Sequence, residues 1–145
     1  MTTEWTKARP NIDLDNQEFW AGLRDHRFLL WHCGVCGAWY WPKAYCRYHE
    51  NQPFAAQMSW VESSGRGVIH SANVHRSVLD PAWKEDTPFA YVLVELDEGP
   101  MISSTLLDYT EDPIRVIGRK VGVVYEDHLD VGEGFVLPKF ALLDS

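Results

Sequence analysis

Basic residues are scarce: 13 Lys and Arg stand against 21 Asp and Glu, giving a formal net charge of -8 over 145 residues. A protein that holds nucleic acid by neutralising phosphates needs clustered positive charge, and this chain would mostly repel a polyanion. The imbalance is local. Residues 1–50 carry six acids and six bases, and residues 51–145 carry 15 acids and seven bases. Long apolar runs are also missing: none approaches the ~18 residues needed for a membrane span. The polar opening, residues 1–11, lacks the apolar core of a secretory signal. These absences predict a cytoplasmic protein with neither membrane nor nucleic-acid partner. Catalytic signatures are equally thin. The chain has no Gly-X-Ser-X-Gly elbow and no glycine-rich phosphate loop, and Gly65-Arg66-Gly67 is too short to be a nucleotide fingerprint.

Cysteine is limited to three residues, and all three fall in one short stretch. Cys33 and Cys36, then Cys46 and His49, form two Cys-X-X-ligand pairs separated by nine residues. That spacing suits a structural zinc ion, which takes thiolate and neutral imidazole in a closed tetrahedral shell. Clustering at metal spacing fits a reducing compartment better than a disulfide framework. The competing reading is buried free thiols with a histidine that follows the third by chance. With all three sulfurs on a metal, no cysteine is left as a nucleophile.

Ahead of the cysteines, Asp15 sits in N-cap position with Glu18 three residues on, and Phe19, Trp20 and Leu23 recur at helical spacing to about His26. One short amphipathic helix is expected there, whose aromatics either pack on the ribbon or dock on another molecule. After the ribbon and a polar bridge at residues 50–57, β-prone segments follow at 59–63, 68–75, 88–96, 101–107, 120–125 and 134–140. The chain is expected to bulge at Gly65-Arg66-Gly67. Residues 77–87 read as a loop carrying Trp83. Short strands separated by turns, without a long helix among them, predict a mainly β protein: a helix and zinc ribbon over residues 1–55, then a small closed OB-type barrel over residues 56–145.

Of the remaining polar groups, His70 and His75 lie five apart and are expected on opposite faces of a strand. Arg66, and His75 with Arg76, are candidates to meet an anion, with solvated or internally paired side chains as the alternative. The acidic pairs Asp97-Glu98, Glu111-Asp112 and Glu126-Asp127 read as solvated turn charge. Seven tryptophans are many for this length, and Trp31, Trp39 and Trp41 crowd the ribbon. Tryptophan is enriched at interface hot spots, so part of this area is expected to be covered by another chain, with internal packing as the competitor.

The order Phe19-Trp20-Ala21-Gly22-Leu23, Cys33-Gly34-Val35-Cys36-Gly37, Trp41-Pro42, Cys46, Ser64-Gly65-Arg66-Gly67-Val68-Ile69-His70-Ser71, Val74-His75-Arg76, the stretch from Pro88 to Pro100 and the closing Leu137-Pro138-Lys139-Phe140 resembles the acyl-CoA-associated OB-fold family with an N-terminal rubredoxin-like zinc ribbon, domain of unknown function 35. The family pattern has a fourth cysteine where this chain has His49. The resemblance implies a companion subunit of thiolase-superfamily enzymes: thiolases, hydroxymethylglutaryl-CoA synthase-type enzymes, or the aldolases of steroid side-chain breakdown. Some members accompany MaoC-type hydratases instead. It implies a structural Zn2+, acyl-CoA as ligand of the complex, and a hetero-oligomer such as a heterotetramer. Taken with the aromatic and basic residues above, a companion role places the expected partner face at Phe19, Trp20, Trp31, Trp39 and Trp41, and expected substrate contacts at Arg66, His75, Arg76 and Trp83. The reading that competes from a different class is a single-stranded nucleic-acid-binding module, since OB barrels and zinc ribbons both serve there.

Overall fold

A computed structural model describes residues 5–48 and 57–143. The protein is mainly β. Helix α1 (Gln17–Arg24) is followed by β1 (Leu29–Cys33), β2 (Trp39–Tyr40), β3 (Met58–Glu62), β4 (Arg66–His75), β5 (Phe89–Leu96), β6 (Met101–Leu106), β7 (Lys120–His128) and β8 (Phe135–Leu142). Two 3-10 helices, Pro81–Asp86 and Pro113–Val116, lie in the long connections. Each starts with a proline behind an aspartate, Asp80 or Asp112, whose carboxylate accepts the amide two residues on. The segment expected to be plain loop around Trp83 therefore contains an ordered turn of helix, because Asp80 caps it and Pro81 presets its first φ.

Strands β4-β5-β6-β8-β7 close into a barrel, with β4 also pairing β7. Neighbours are antiparallel except β6 and β8. Alternation accounts for β5: Ala90, Val92, Val94 and Leu96 are buried while Tyr91 and Glu95 between them face out. The other sheet has the order β2-β1-β3. Its third strand is Met58–Glu62, on the C-terminal side of the expected boundary at 55/56, and it pairs residue for residue with β1 from Leu29↔Glu62 to Cys33↔Met58. The barrel proper starts four residues later, at Arg66.

The N-cap of helix α1 lies one residue beyond the expected one. Asn16 is the N-cap residue and its side chain does not cap the helix; instead Asp13 Oδ1 accepts the amides of Asp15 and Asn16. The expected Asp15–Glu18 capping box is thus replaced by an upstream aspartate that satisfies the turn before the helix. The expected bulge also lies elsewhere. The β4–β5 register slips between Ile69 and Ser71, while Gly65 takes a positive φ of 70° just before the strand and Gly67 is an ordinary paired residue. Since a bulge inserts one residue into the alternation, His70 and His75 are both exposed rather than on opposite faces.

One core joins the two sheets. Phe19 and Leu23 of α1, Phe28 and Leu30 leading into and along β1, and the inward residues of the barrel form a single buried cluster. A smaller cluster holds Trp31, Cys33, Cys46 and Met58. Trp60 packs against both.

Candidate metal centre

The β1–β2 turn is built around a glycine. Cys33 O accepts the Gly37 amide at 2.9 Å, Cys33 N donates to Ala38 O at 2.9 Å, and Gly37 adopts φ 78°, a conformation that costs glycine little. Gly34 N donates to Gln57 O at 2.7 Å, which ties this turn to the start of β3. The chain then returns so that Cys46 comes back to the same place. The Cys33, Cys36 and Cys46 sulfurs all lie within 4.8 Å of one another, and none is in a disulfide. A tetrahedral ion with metal–sulfur bonds of about 2.3 Å sets its sulfurs roughly 3.8 Å apart; Cys36 Sγ and Cys46 Sγ are 3.6 Å apart. Donor chemistry and spacing therefore fit a thiolate-bound metal ion. His49 lies outside the described residues.

The surroundings favour thiolate at one of the three. Burial opposes ionisation of Cys33, but the amides of Cys36 and Val35 and the Cys36 and Cys46 thiols outweigh it and bring the pKa down to about 7. At Cys36 the Ala38 amide pulls downward, yet desolvation and the neighbouring sulfurs hold the thiol above its usual value. Two side chains the sequence did not single out also reach the sulfurs. Gln57 Nε2 stands 3.6 Å from Cys33 Sγ. Tyr40 Oη donates to Cys46 Sγ at 3.4 Å and accepts the Arg47 amide at 3.0 Å. The only signal for Tyr40 was its place beside Trp39 on a strand, where neighbours face opposite ways; Gln57 lay in what read as a polar bridge.

The aromatic residues divide by burial. Phe19, 3% exposed, is the hub of a ring cluster with centroids 5.6 Å from Trp20, 5.7 Å from Phe28, 5.6 Å from Trp41 and 6.2 Å from Trp60. Trp31 is buried and its indole N–H donates to Ala44 O at 2.8 Å, with Lys43 Nζ 4.6 Å above its ring. Phe19 and Trp31 are thus interior residues of this chain, and of the five aromatics expected at a partner face Trp20, Trp39 and Trp41 are the partly exposed ones. Trp20 and Trp41 line a surface groove of about 360 Å³ with Pro42, Lys43 and Trp60.

The four residues expected at substrate do not form one cluster. Arg66 is exposed at the first position of β4, the far end of the strand from His75. His75 stacks on Phe89 with centroids 4.9 Å apart, and Trp83 is 5.8 Å from Phe89, so those two share an aromatic surface. Arg76 is exposed just beyond. Trp83 and Phe89 line a cavity of about 250 Å³ with Thr105, Tyr109 and Lys139. Acidic residues read as solvated do structural work. Glu98 accepts Ser63 Oγ and Ser64 N, both at 2.8 Å, between the ribbon and barrel sheets. Asp127 meets His26 and Glu126 meets His128, each at 2.7 Å.

Residues 60–126 match the family model described as "ChsH2, C-terminal OB-fold domain". A chain of the solved Ltp2-ChsH2(DUF35) aldolase superposes with a TM-score of 0.75 at 26% identity, covering 94% of this chain and 100% of that one. This chain belongs to the DUF35/ChsH2 OB-fold family. As a DUF35 protein it is similar to the 3-oxo-4,17-pregnadiene-20-carboxyl-CoA hydratase alpha subunit of Mycobacterium tuberculosis, 31% identical over 84% of this chain and 37% of that protein. It is also similar to a DUF35 domain-containing scaffold protein of Methanothermobacter thermautotrophicus, 34% identical over 53% of this chain and 56% of that protein. It thus spans between a third and three fifths of the length of these curated relatives. Among the described residues, no helix is long and apolar enough to cross a membrane.

Proposed function

We propose that this protein is a non-catalytic, zinc-bearing companion subunit of a thiolase-superfamily enzyme acting on acyl-CoA, a thiolase or a side-chain aldolase. The observation that carries this is the whole-length likeness to the chain of the Ltp2-ChsH2(DUF35) aldolase. The three gathered sulfurs support the zinc, with His49 as fourth ligand. In this reading residues 1–55 hold the metal and dock the partner, β3 completes their sheet, and the barrel is formed by the strands from β4 onward within residues 56–145. Trp20 and Trp41 at one groove, and Trp39 beside Trp41 at another, supply the docking area, since partly exposed tryptophans at a groove are suited to anchoring a partner. The cavity beside Trp83 and the His75 surface wall part of the acyl-CoA path. Carbon–carbon bond chemistry then belongs to the partner, whose site must supply the acid/base group and the stabilisation of the thioester enolate. The hydratase name of the mycobacterial relative favours one second reading, a subunit of an acyl-CoA hydratase of the MaoC type.

Tagged protein recovered from its native cells, with the co-purifying proteins identified by mass spectrometry, tests both. A thiolase-like enzyme supports the first reading and a hydratase the second. Trp20→Ala and Trp41→Ala should each lower recovery of that enzyme at least tenfold while the chain stays folded. Isolation of the chain alone, with no acyl-CoA enzyme in stoichiometric amount, would overturn the companion role.

A further inference from the structure

We infer that Tyr40 is a positioning residue of the metal centre, acting through a hydrogen bond from its phenol to the Cys46 sulfur. The inference rests on reading the three-sulfur cluster as a metal site. Adjacent residues on β2 face opposite sides: Trp39 packs on the main core and Tyr40 on the small cluster containing Cys33 and Cys46. The Tyr40 hydroxyl is bonded at both ends, donating to Cys46 Sγ at 3.4 Å and accepting the Arg47 amide at 3.0 Å. It therefore ties β2 to the returning segment at two adjacent points, the Cys46 sulfur and the Arg47 amide, and gives that sulfur a directed donor.

A closed shell of thiolates concentrates negative charge, and donors around it set how tightly each sulfur is held and how readily it leaves. The three cysteines are unequal in this respect. Cys33 has Gln57 and backbone amides, Cys46 has the Tyr40 phenol, and Cys36, the exposed member, has the Ala38 amide. Removing the phenol oxygen leaves the aromatic packing intact but strips Cys46 of its donor and Arg47 N of its acceptor. The pair Cys46–Arg47 is then held by the ligand bond alone, and the metal should exchange faster.

The test uses the full chain reconstituted with Co(II), whose sulfur-to-metal charge-transfer band reports the thiolates directly, and then with Zn(II) in competition with a chromogenic chelator. Tyr40→Phe should keep the fold and its far-UV spectrum, lower apparent metal affinity on the order of 10-fold or more, speed zinc release, and shift the cobalt charge-transfer band. Tyr125→Phe, which removes a phenol from β7 of the barrel, should change none of these. Cobalt uptake with affinity, release rate and band position within twofold or unchanged in Tyr40→Phe would overturn the role of Tyr40 while leaving the metal site standing. A wild-type chain that takes up no cobalt would overturn both. Should Tyr40→Phe not fold without metal, it is refolded with Co(II) present and its charge-transfer band compared with that of the wild type and of Tyr125→Phe; an unshifted band would overturn the role of Tyr40.

Discussion

Replacing Phe19 by alanine tests whether the helix, the ribbon and the barrel are one cooperative structure. Phe19 is 3% exposed and its ring meets Trp20, Phe28, Trp41 and Trp60 at centroid separations of 5.6–6.2 Å. Truncation leaves a cavity walled by four rigid rings that cannot collapse into it, which places the cost in the Phe→Ala range of about 3–5 kcal/mol. For a chain of this size a destabilisation of about 4 kcal/mol lowers Tm by roughly 12 °C. It removes a large fraction of the 5–15 kcal/mol that a domain commonly possesses. Because Phe19 belongs to the same buried cluster as Val92, Val94 and Phe140 of the barrel, the loss must be felt in the barrel as well. Thermal unfolding followed by far-UV circular dichroism for the strands and tryptophan fluorescence for the ribbon should give one coincident transition in the wild type, shifted as a unit in the mutant. A barrel that melts at its original temperature while the tryptophan signal moves, or a loss below about 1 kcal/mol, would refute the shared core.

Two further outcomes follow from close packing and from burial. A Cβ on Gly67, which pairs with Leu96 on one side and Val121 on the other, would collide with the Glu95 carbonyl and the Val94 side chain; Gly67→Ala should cost about 1–3 kcal/mol by urea titration, and an unchanged midpoint would show that β4 and β5 separate freely there. Burial, reinforced by the charge of Glu62, raises the Tyr125 phenol above its ordinary value. Its contribution is fully present below the unfolded-state pKa near 10 and is lost as pH rises through the higher folded-state value, so stability measured from pH 9 upward should fall more steeply in the wild type than in Tyr125→Phe; parallel curves would refute it.

What could be read in the chain beforehand was what depends on local order. The spacing of Cys33, Cys36 and Cys46 is a property of fourteen consecutive residues, and the fold brings those sulfurs together. Strand β5 announced itself because Phe89 to Val94 is a continuous run of β-prone residues, although which of them face inward shows only in the structure. The closed barrel followed from the number and spacing of such segments. Features that depend on a distant partner were hidden. Met58–Glu62 has a strand pattern whichever sheet receives it, and its pairing with β1, centred on Trp31↔Trp60, places it with the ribbon. The slip at His70 has no glycine to mark it, whereas the glycines at 65 and 67, which suggested a bulge, serve a turn of positive φ and a close strand approach. The amphipathic spacing of Phe19 and Trp20 was visible, but which of the two faces inward depends on Phe28, Trp41 and Trp60. Glu98 looked like any turn carboxylate because its partners, Ser63 and Ser64, lie more than 30 residues earlier.

The position of Trp60 joins these strands of reasoning. Its ring lies 5.2 Å from Trp31 in the cysteine cluster and 6.2 Å from Phe19 in the main core, so displacement of β1 against β3 cannot be confined to either cluster. The same ring lines the groove that Trp20 and Trp41 present to the outside. On the proposed reading, the metal holds Cys33 at the end of β1, β1 fixes Trp60 through the Trp31↔Trp60 pairing, and Trp60 fixes the floor beneath the docking tryptophans. Metal and partner then bind to opposite ends of one packed chain of rings. Thermodynamic linkage requires that whatever the metal does for partner affinity, the partner does equally for metal affinity. On that reading the three-stranded ribbon, already tied to the barrel through the shared core, gains further stability when metal and partner are both bound.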